Sequence, residues 1–339
     1  MKILILGGTS FFGREFAIKA FNEGNKVSVF SRKAPTDNLP LDIKQIRGDR
    51  EFEPDLARLS IENWDIVFDN ICYSPESAQK ALKYFSGRVG LYIFTSSEAV
   101  YYLIRDLSNP FRENHTDIFK DNIEFKKGGF WDYASGKLKA EQIFLAAFRE
   151  QKFPVSIIRL PIVIGPYDNT LRAYSYWLRI ADGFNFFAPG YNFSRRFAYS
   201  RDLANWIYIL ANNPENATGE IFNLADENII SLYDFLKISA DIMAKELKLL
   251  PADFAWLKEN GFDLSASPYS SKRDYIIDNA KSKEVLNLQF TDIRTWLTES
   301  IDWFLSNYAG LKPINYSNRQ KEIELAKLWI KERGENANK

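Results

Sequence analysis

Ile3-Leu4-Ile5-Leu6-Gly7-Gly8-Thr9-Ser10-Phe11-Phe12-Gly13 is the stretch on which the reading of this chain turns. Four consecutive apolar residues are the signature of a short strand buried on both faces. The run stops at two glycines, where a tight turn needs backbone freedom. From Arg14 the period becomes helical, with Phe12, Phe16, Ala20 and Phe21 on one stripe, and Gly24-Asn25 ends the helix. Val27-Ser28-Val29-Phe30 then gives a second strand. Strand, glycine turn, helix and strand make a βαβ unit, the context in which a glycine loop binds a nucleotide. Gly7 would permit the turn and Gly13 the close approach of helix to strand. Thr9, Ser10, Phe11 and Phe12 complete the loop. Free N–H groups and the positive dipole end at the helix start suit a pyrophosphate. Ser10 stands where a glycine is frequent; it is small, and its hydroxyl can donate to a phosphate.

Working outward, strands fit over 43–46, 66–68, 91–94 and 155–159, and helices over 77–85 and 135–150. This alternation predicts an α/β fold, a Rossmann-type doubly wound parallel sheet with helices on both faces. Beyond Pro166 the alternation weakens and aromatic residues accumulate, among them Tyr167, Tyr174, Tyr176, Trp177, Phe184 and Tyr191. Most are expected to pack the core of a small helical lobe; others could stack on a nucleobase or a sugar ring.

Composition excludes several classes. Lys plus Arg number 44 against 44 Asp plus Glu, so no net field steers the chain to nucleic acid or to a membrane surface. The single cysteine, Cys72, excludes an intramolecular disulfide and fits a reducing compartment. The single histidine, His115, rules out a histidine-rich metal site and argues against a Ser-His-Asp hydrolase; no metal is expected. The opening apolar run is too short for a signal-peptide core, and no apolar stretch is long enough to span a membrane. The expectation is a soluble, cytoplasmic protein.

The residues that point to chemistry lie in Trp131-Asp132-Tyr133-Ala134-Ser135-Gly136-Lys137. On a helix Tyr133 and Lys137 share one face, one turn apart. An ammonium beside a phenol favours the phenolate, so Tyr133 can exchange a proton with a hydroxyl or carbonyl near neutral pH. After the second strand, Ser31-Arg32-Lys33 replaces the carboxylate that would select NAD, and Arg32 could clamp a 2′-phosphate; this favours NADP over NAD. Asp49 could accept from an adenine amino group or cap a turn. Cys72 reads as a small buried residue rather than a nucleophile. The polar insert over 104–130 precedes Tyr133 and is a candidate lid, with His115 on its surface.

With Gly7 to Gly13, Asp49, Thr95-Ser96-Ser97 and Tyr133-x-x-x-Lys137 in this order, the chain resembles the extended short-chain dehydrogenase/reductase superfamily. Its nucleoside-diphosphate-sugar epimerase/dehydratase-like branch is the nearest in appearance, over roughly residues 1–308. Arg159-Leu160-Pro161 and the stretches 197–204, 222–225 and 278–281 add to the likeness. The resemblance implies that Tyr133 is the general acid/base, that Lys137 lowers its pKa and binds the nicotinamide ribose, and that Ser97 orients the reacting C–O group. It places Asn70 and Pro161 beside the cofactor and Glu98, Arg195, Arg196 and Arg273 on the substrate side, two cations suiting a diphosphate. It further implies a small-molecule substrate such as a sugar nucleotide, and a homodimer built on two helices per subunit, one of them carrying Tyr133. Residues 1–165 would bind NAD(P), residues 166–308 would form a substrate lobe interleaved with late Rossmann elements, and residues 309–339 a C-terminal helical extension. Ile323, Leu325, Ala326, Leu328, Trp329 and Ile330 in that extension would pack on the body or on another subunit. Glu98 followed by Ala99 departs from the acid pair of dehydratases, which leaves epimerase, dehydratase and reductase chemistry open. The opening also resembles an atypical branch with chloroplast RNA-binding members, so the rival expectation is a non-catalytic NAD(P)-sensing or RNA-binding protein.

Overall fold

The structure, a computed structural model, describes residues 1–337. It divides into two compact units, each assembled from several segments. The first comprises Met1–Val163, Phe197–Glu227 and Ile277–Phe290. Its centre is a seven-stranded parallel sheet of β1 (Lys2–Leu6), β2 (Lys26–Ser31), β3 (Lys44–Arg47), β4 (Trp64–Asp69), β5 (Val89–Ser97), β6 (Val155–Leu160) and β7 (Ile221–Asn223). Their order is β7-β6-β5-β4-β1-β2-β3. The order reverses between β1 and β4, the switch point at whose carboxyl side open α/β sheets bind ligands.

The apolar run at residues 3–6 is buried on both faces because two helical layers need it. Ile3 and Ile5 enter one core, with Phe16 and Ala20 of α1 (Phe11–Asn22). Leu4 and Leu6 enter the other, with Leu56 of α2 (Glu53–Leu59), Phe85 of α3 (Pro75–Phe85) and Phe144 of α4 (Phe130–Gln151). The first core is closed by Leu203, Ile207 and Leu210 of α5 (Ser200–Ala211) and by Leu286 of α6 (Ala280–Leu286). The period-2 alternation of a strand thus assigns successive residues to opposite layers. Among the described residues no helix is long and apolar enough to cross a membrane.

Several boundaries differ from the sequence expectation, and two of them bear on the site. Strand β5 runs to Ser97 rather than ending at residue 94, because Thr95, Ser96 and Ser97 still pair with Ile158, Arg159 and Leu160. Helix α4 begins at Phe130 rather than at 135, so Tyr133 lies inside it. No side chain caps it; Gly128 and Gly129, at φ 95° and 51°, turn the chain into the helix, and that signal is a backbone one.

The second unit comprises Ile164–Arg196, Asn228–Ile276 and the chain from Thr291. It contains helices Arg172–Asp182, Leu232–Ile242 and Ile293–Asn307, and short strand pairs such as Ser194–Arg195 with Ile230–Ser231. The C-terminal helix, Arg319–Ala337, packs on this unit. Ala326 is buried with Phe187 and Leu257, and Leu325 and Trp329 lie against them. Arg319 holds Asp182, and Glu322 holds Arg179, both at 2.8–2.9 Å.

Candidate active site

The parallel topology gathers at one edge of the first unit the loops singled out in the sequence. Leu6, Phe30, Ile46, Asp69 and Phe94 form one row across β1, β2, β3, β4 and β5; Gly7, Asp49 and Asn70 lie just beyond β1, β3 and β4, and Ser31 ends β2. Gly7, at φ 90°, makes the turn after β1, and a Cβ at Gly13 would stand 2.4 Å from the Gly7 carbonyl oxygen. Only glycine permits that approach of α1 to the turn. Phe11 sits at φ 51°, a left-handed conformation rare for a bulky residue, and Ser10 begins α1 without capping it through its hydroxyl. The Ser10 hydroxyl therefore does not occupy the N–H groups that open α1. Tight loop, uncapped helix start and neighbouring Asn70 fit a dinucleotide pyrophosphate.

Thr9, Ser31, Lys33, Pro35, Gln45 and Arg47 line a small cavity beside this loop, and none of the residues lining it is acidic. Arg32 and Lys33 are exposed. Asp49 takes the turn-capping role left open by its sequence: its Oδ1 accepts from the Glu51 N–H at 2.9 Å, and its own N–H donates to Asp55.

Ser97, Tyr133 and Lys137 all belong to this unit. Ser97 ends β5, and its Oγ accepts from the Ala99 N–H at 3.2 Å. Lys137 is 1% exposed, and its Nζ donates to the Cys72 and Thr95 carbonyls, both at 2.7 Å. The backbone of β5 and the turn after β4 thereby set its position. Nζ lies 5.8 Å from the centre of the Tyr133 ring, which is 38% exposed. Burial, which penalises the ammonium, brings the Lys137 pKa down to about 8. A close approach fixes α4 here, since a Cβ at Gly136 would meet the Tyr73 carbonyl at 2.2 Å.

Two buried ion pairs underlie the site and were not apparent in the sequence. Arg50 binds Asp69 through Nε at 3.1 Å and Nη2, while Tyr92 donates its hydroxyl to the same carboxylate. Asp69 also accepts from the Ile71 N–H at 3.1 Å, shaping the turn that presents the Cys72 carbonyl to Lys137. Arg159 on β6 binds Glu141 of α4 at 3.0 and 2.6 Å, and Ser96 donates to the same carboxylate. The only prior signal was chemical: charged residues inside otherwise apolar strands. Cys72 is buried, and its thiol pKa is pushed up to about 12 by burial, which removes it as a nucleophile.

Within the insert over 104–130, the stretch 111–116 is tied to the sheet. Arg159 donates to the Glu113 carbonyl and to Thr116 Oγ1, both at 2.9 Å. Glu113 accepts from the Asn223 N–H at 2.8 Å, and Asn223 donates to the Phe111 carbonyl. Residues 111–116 are therefore anchored to β6 and β7 by buried hydrogen bonds, and this part is scaffold. His115 is half-buried, accepts from the Arg112 N–H and meets Phe119 edge-on. A cavity of about 600 Å³ along β7 holds Arg112 and Lys281 already paired with Asp278 and Glu220, and it contains none of the catalytic candidates.

Glu98 is buried just after Ser97. Pro161 follows β6 and is buried. Arg195, Arg196 and Arg273 fall in the second unit. Arg195 is buried and its backbone bridges Tyr275, over whose ring Arg273 lies at 6.0 Å; Arg196 is half-buried. Among the described residues no cluster of His, Cys, Asp and Glu could hold a metal ion.

The family model for the NAD dependent epimerase/dehydratase family matches residues 3–225, more than half of the chain, and covers the loop, Ser97, Tyr133 and Lys137 together. The chain belongs to this family. Among curated proteins, it is 30% identical over 115 residues to GDP-L-fucose synthase of Dictyostelium discoideum, covering 34% of this chain and 32% of that protein. It is 26% identical over 255 residues to the chloroplast stem-loop binding protein of 41 kDa b of Arabidopsis thaliana, covering 70% of this chain and 62% of that protein. The chain thus spans about a third and about three-fifths of the lengths of these relatives. A solved structure of UDP-glucuronic acid 4-epimerase from Bacillus cereus, in complex with NAD, superposes with a TM-score of 0.71 at 18% identity, over 92% of this chain and 98% of that one. That likeness establishes the shared epimerase/dehydratase fold.

Proposed function

We propose that this member of the epimerase/dehydratase family is an NAD(P)-dependent enzyme acting on a hydroxyl or carbonyl of a nucleoside-diphosphate sugar. The observation that carries the reading is Lys137, buried beneath an accessible Tyr133 at the carboxyl edge of the sheet. A bound nicotinamide would supply the hydride acceptor or donor. Tyr133 would take the proton of the substrate hydroxyl as the carbonyl forms and return it in the reverse direction. Lys137 would support the phenolate by its charge, held in place by the two carbonyls. Ser97 would donate to the oxygen on which charge develops. Gly7, Gly13 and the N–H groups opening α1 would hold the pyrophosphate, with Thr9, Ser10, Phe11 and Phe12 shaping the loop and Asn70 and Pro161 beside the cofactor. Ser31 and Arg32 would face the adenosine side; Ser31, Lys33 and Arg47 line a cavity without an acidic residue, and Arg32 is exposed, which supports NADP over NAD. Arg195, Arg196 and Arg273 are the cations offered to the diphosphate, and Glu98 is the carboxyl offered next to Ser97. GDP-L-fucose synthase among the relatives and the UDP-glucuronic acid epimerase among the structures support a sugar nucleotide. A cytoplasmic homodimer completes the reading.

Thermal unfolding with NAD, NADH, NADP and NADPH, each alone, tests the cofactor, since a ligand of the folded state raises Tm. Incubation with UDP-, GDP- and dTDP-sugars, with product analysis, then tests the chemistry. Tyr133→Phe should lose about 10²- to 10⁴-fold in turnover while keeping the cofactor-dependent Tm shift.

A second reading, a stem-loop RNA-binding protein on the same fold, is favoured by the Arabidopsis relative. The balanced charge opposes it. Stem-loop RNA binding that is indifferent to Tyr133→Phe, in protein without turnover, would establish it.

A further inference from the structure

The Tyr73 side chain stands out because it has no role in the proposed chemistry and it touches the buried ammonium of Lys137. It lies in the turn between β4 and α3, and the residue is 53% exposed. The inner face of that ring stands 4.5 Å from Lys137 Nζ, closer than the rings of Phe94 at 5.2 Å or Tyr133 at 5.8 Å. It also meets the Tyr133 ring, with 6.2 Å between centroids.

The charged and titratable groups around Lys137 leave it without a dedicated counterion. Asp69, after which the turn begins, is committed to Arg50 and Tyr92. Glu141, one turn further along α4, is committed to Arg159 and Ser96. Cys72 keeps its proton across the neutral range. The ammonium is held by two carbonyl oxygens and by aromatic faces. Of the three rings, Phe94 is in the core, while Tyr73 and Tyr133 both lie on the solvent side, the Tyr73 ring being the nearer to Nζ. An aromatic face attracts a desolvated ammonium and at the same time keeps water from it.

We propose that Tyr73 is a positioning residue for the Tyr133–Lys137 pair, its ring serving as the removable wall that keeps the Lys137 ammonium dry and directed at Tyr133. This rests on the reading of Tyr133 as acid/base. The phenol hydroxyl is not needed for that role; the ring face is. Tyr73→Phe should therefore behave as the unsubstituted protein. Tyr73→Ala opens Nζ to water, which favours the charged form and screens its field toward Tyr133.

The test is an NMR titration of ¹³C-lysine-labelled protein without cofactor or substrate, the Lys137 signal being assigned by its loss in Lys137→Met. In the unsubstituted protein and in Tyr73→Phe, Lys137 should titrate near pH 8. In Tyr73→Ala and in Tyr73→Ser, a second variant that opens the same wall, the midpoint should rise by one pH unit or more toward the ordinary value of about 10.4. Once a substrate is in hand, the alkaline limb of the kcat/KM profile should move with it, because that profile reports the free enzyme. A Lys137 midpoint in both opened variants equal to that of the unsubstituted protein overturns the proposal. The titration needs no turnover, so its failure is separate from that of the acid/base reading, which Tyr133→Phe decides.

Discussion

Arg159 and Glu141 are joined by two hydrogen bonds of 3.0 and 2.6 Å, and neither side chain is more than 1% exposed. The pair links β6 to α4, the helix of Tyr133 and Lys137, and through Thr116 and the Glu113 carbonyl it links both to the insert. Arg159→Met leaves a buried carboxylate without its partner, a loss of about 3–5 kcal/mol. Denaturant unfolding should show a lower midpoint, and hydrogen exchange should show 111–116 opening before the sheet. Exchange at 111–116 as slow as in the unsubstituted protein would refute the anchoring.

Lys137 sets a pH dependence of stability whose sign is fixed by burial. Its folded pKa of about 8 lies below the ordinary value, so between those limits the unfolded chain holds a proton that the folded chain has released. Stability from this group therefore rises with pH from about 8 to about 10.5, by roughly 3 kcal/mol at most. Below pH 8 both states are protonated and the slope vanishes. Unfolding free energies of the unsubstituted protein minus those of Lys137→Met, followed from pH 7 to 10.5, should show this rise, and a flat difference would contradict it.

Gly13 faces a backbone oxygen. A Cβ there would lie 2.4 Å from the Gly7 carbonyl, which cannot yield as a flexible side chain could. Gly13→Ala should cost about 1–3 kcal/mol and abolish the dinucleotide-dependent rise in Tm. An unchanged Tm shift with cofactor would remove this loop from the cofactor site.

Cys72 should be inert while the chain is folded. Its thiol pKa of about 12 and its burial leave almost no accessible thiolate at pH 8. A disulfide reagent should label it only slowly in the native protein and completely in concentrated guanidinium; rapid native labelling would mean that the turn after β4 opens readily.

Arg32 is the residue on which cofactor preference rests. Arg32→Ala should weaken NADP(H) by about ten- to a hundredfold, roughly 1.4–2.7 kcal/mol, and leave NAD(H) unaffected. Isothermal titration with both pairs measures this directly. Equal losses for the two would assign Arg32 to general electrostatics.

The core of the fold was legible because its signals are local. Residues 3–6 are apolar without interruption since both layers claim them, and Gly7 and Gly13 answer steric demands within a few residues. Tyr133 and Lys137 are one helical turn apart, so their common face needs no knowledge of the rest of the chain. The start of α4 was less legible, because two glycines with positive φ replace a capping side chain. That Asp49 caps a turn depended on where Glu51 and Asp55 would stand.

By itself, then, the sequence determined the βαβ start, the layered parallel sheet and the pairing of a phenol with an ammonium, all consequences of periodicity and spacing. Tertiary structure alone decided the surroundings of that ammonium. Arg50 and Asp69 are 19 residues apart, Arg159 and Glu141 are 18 apart, and Lys137 is 65 residues from the Cys72 carbonyl that holds it. Such contacts are made by strand order and helix packing. They fix which charges are neutralised, which carbonyls face inward and which ring, that of Tyr73, lies nearest the Lys137 Nζ. Burial then sets the pKa, and burial is a property that no local stretch of residues contains.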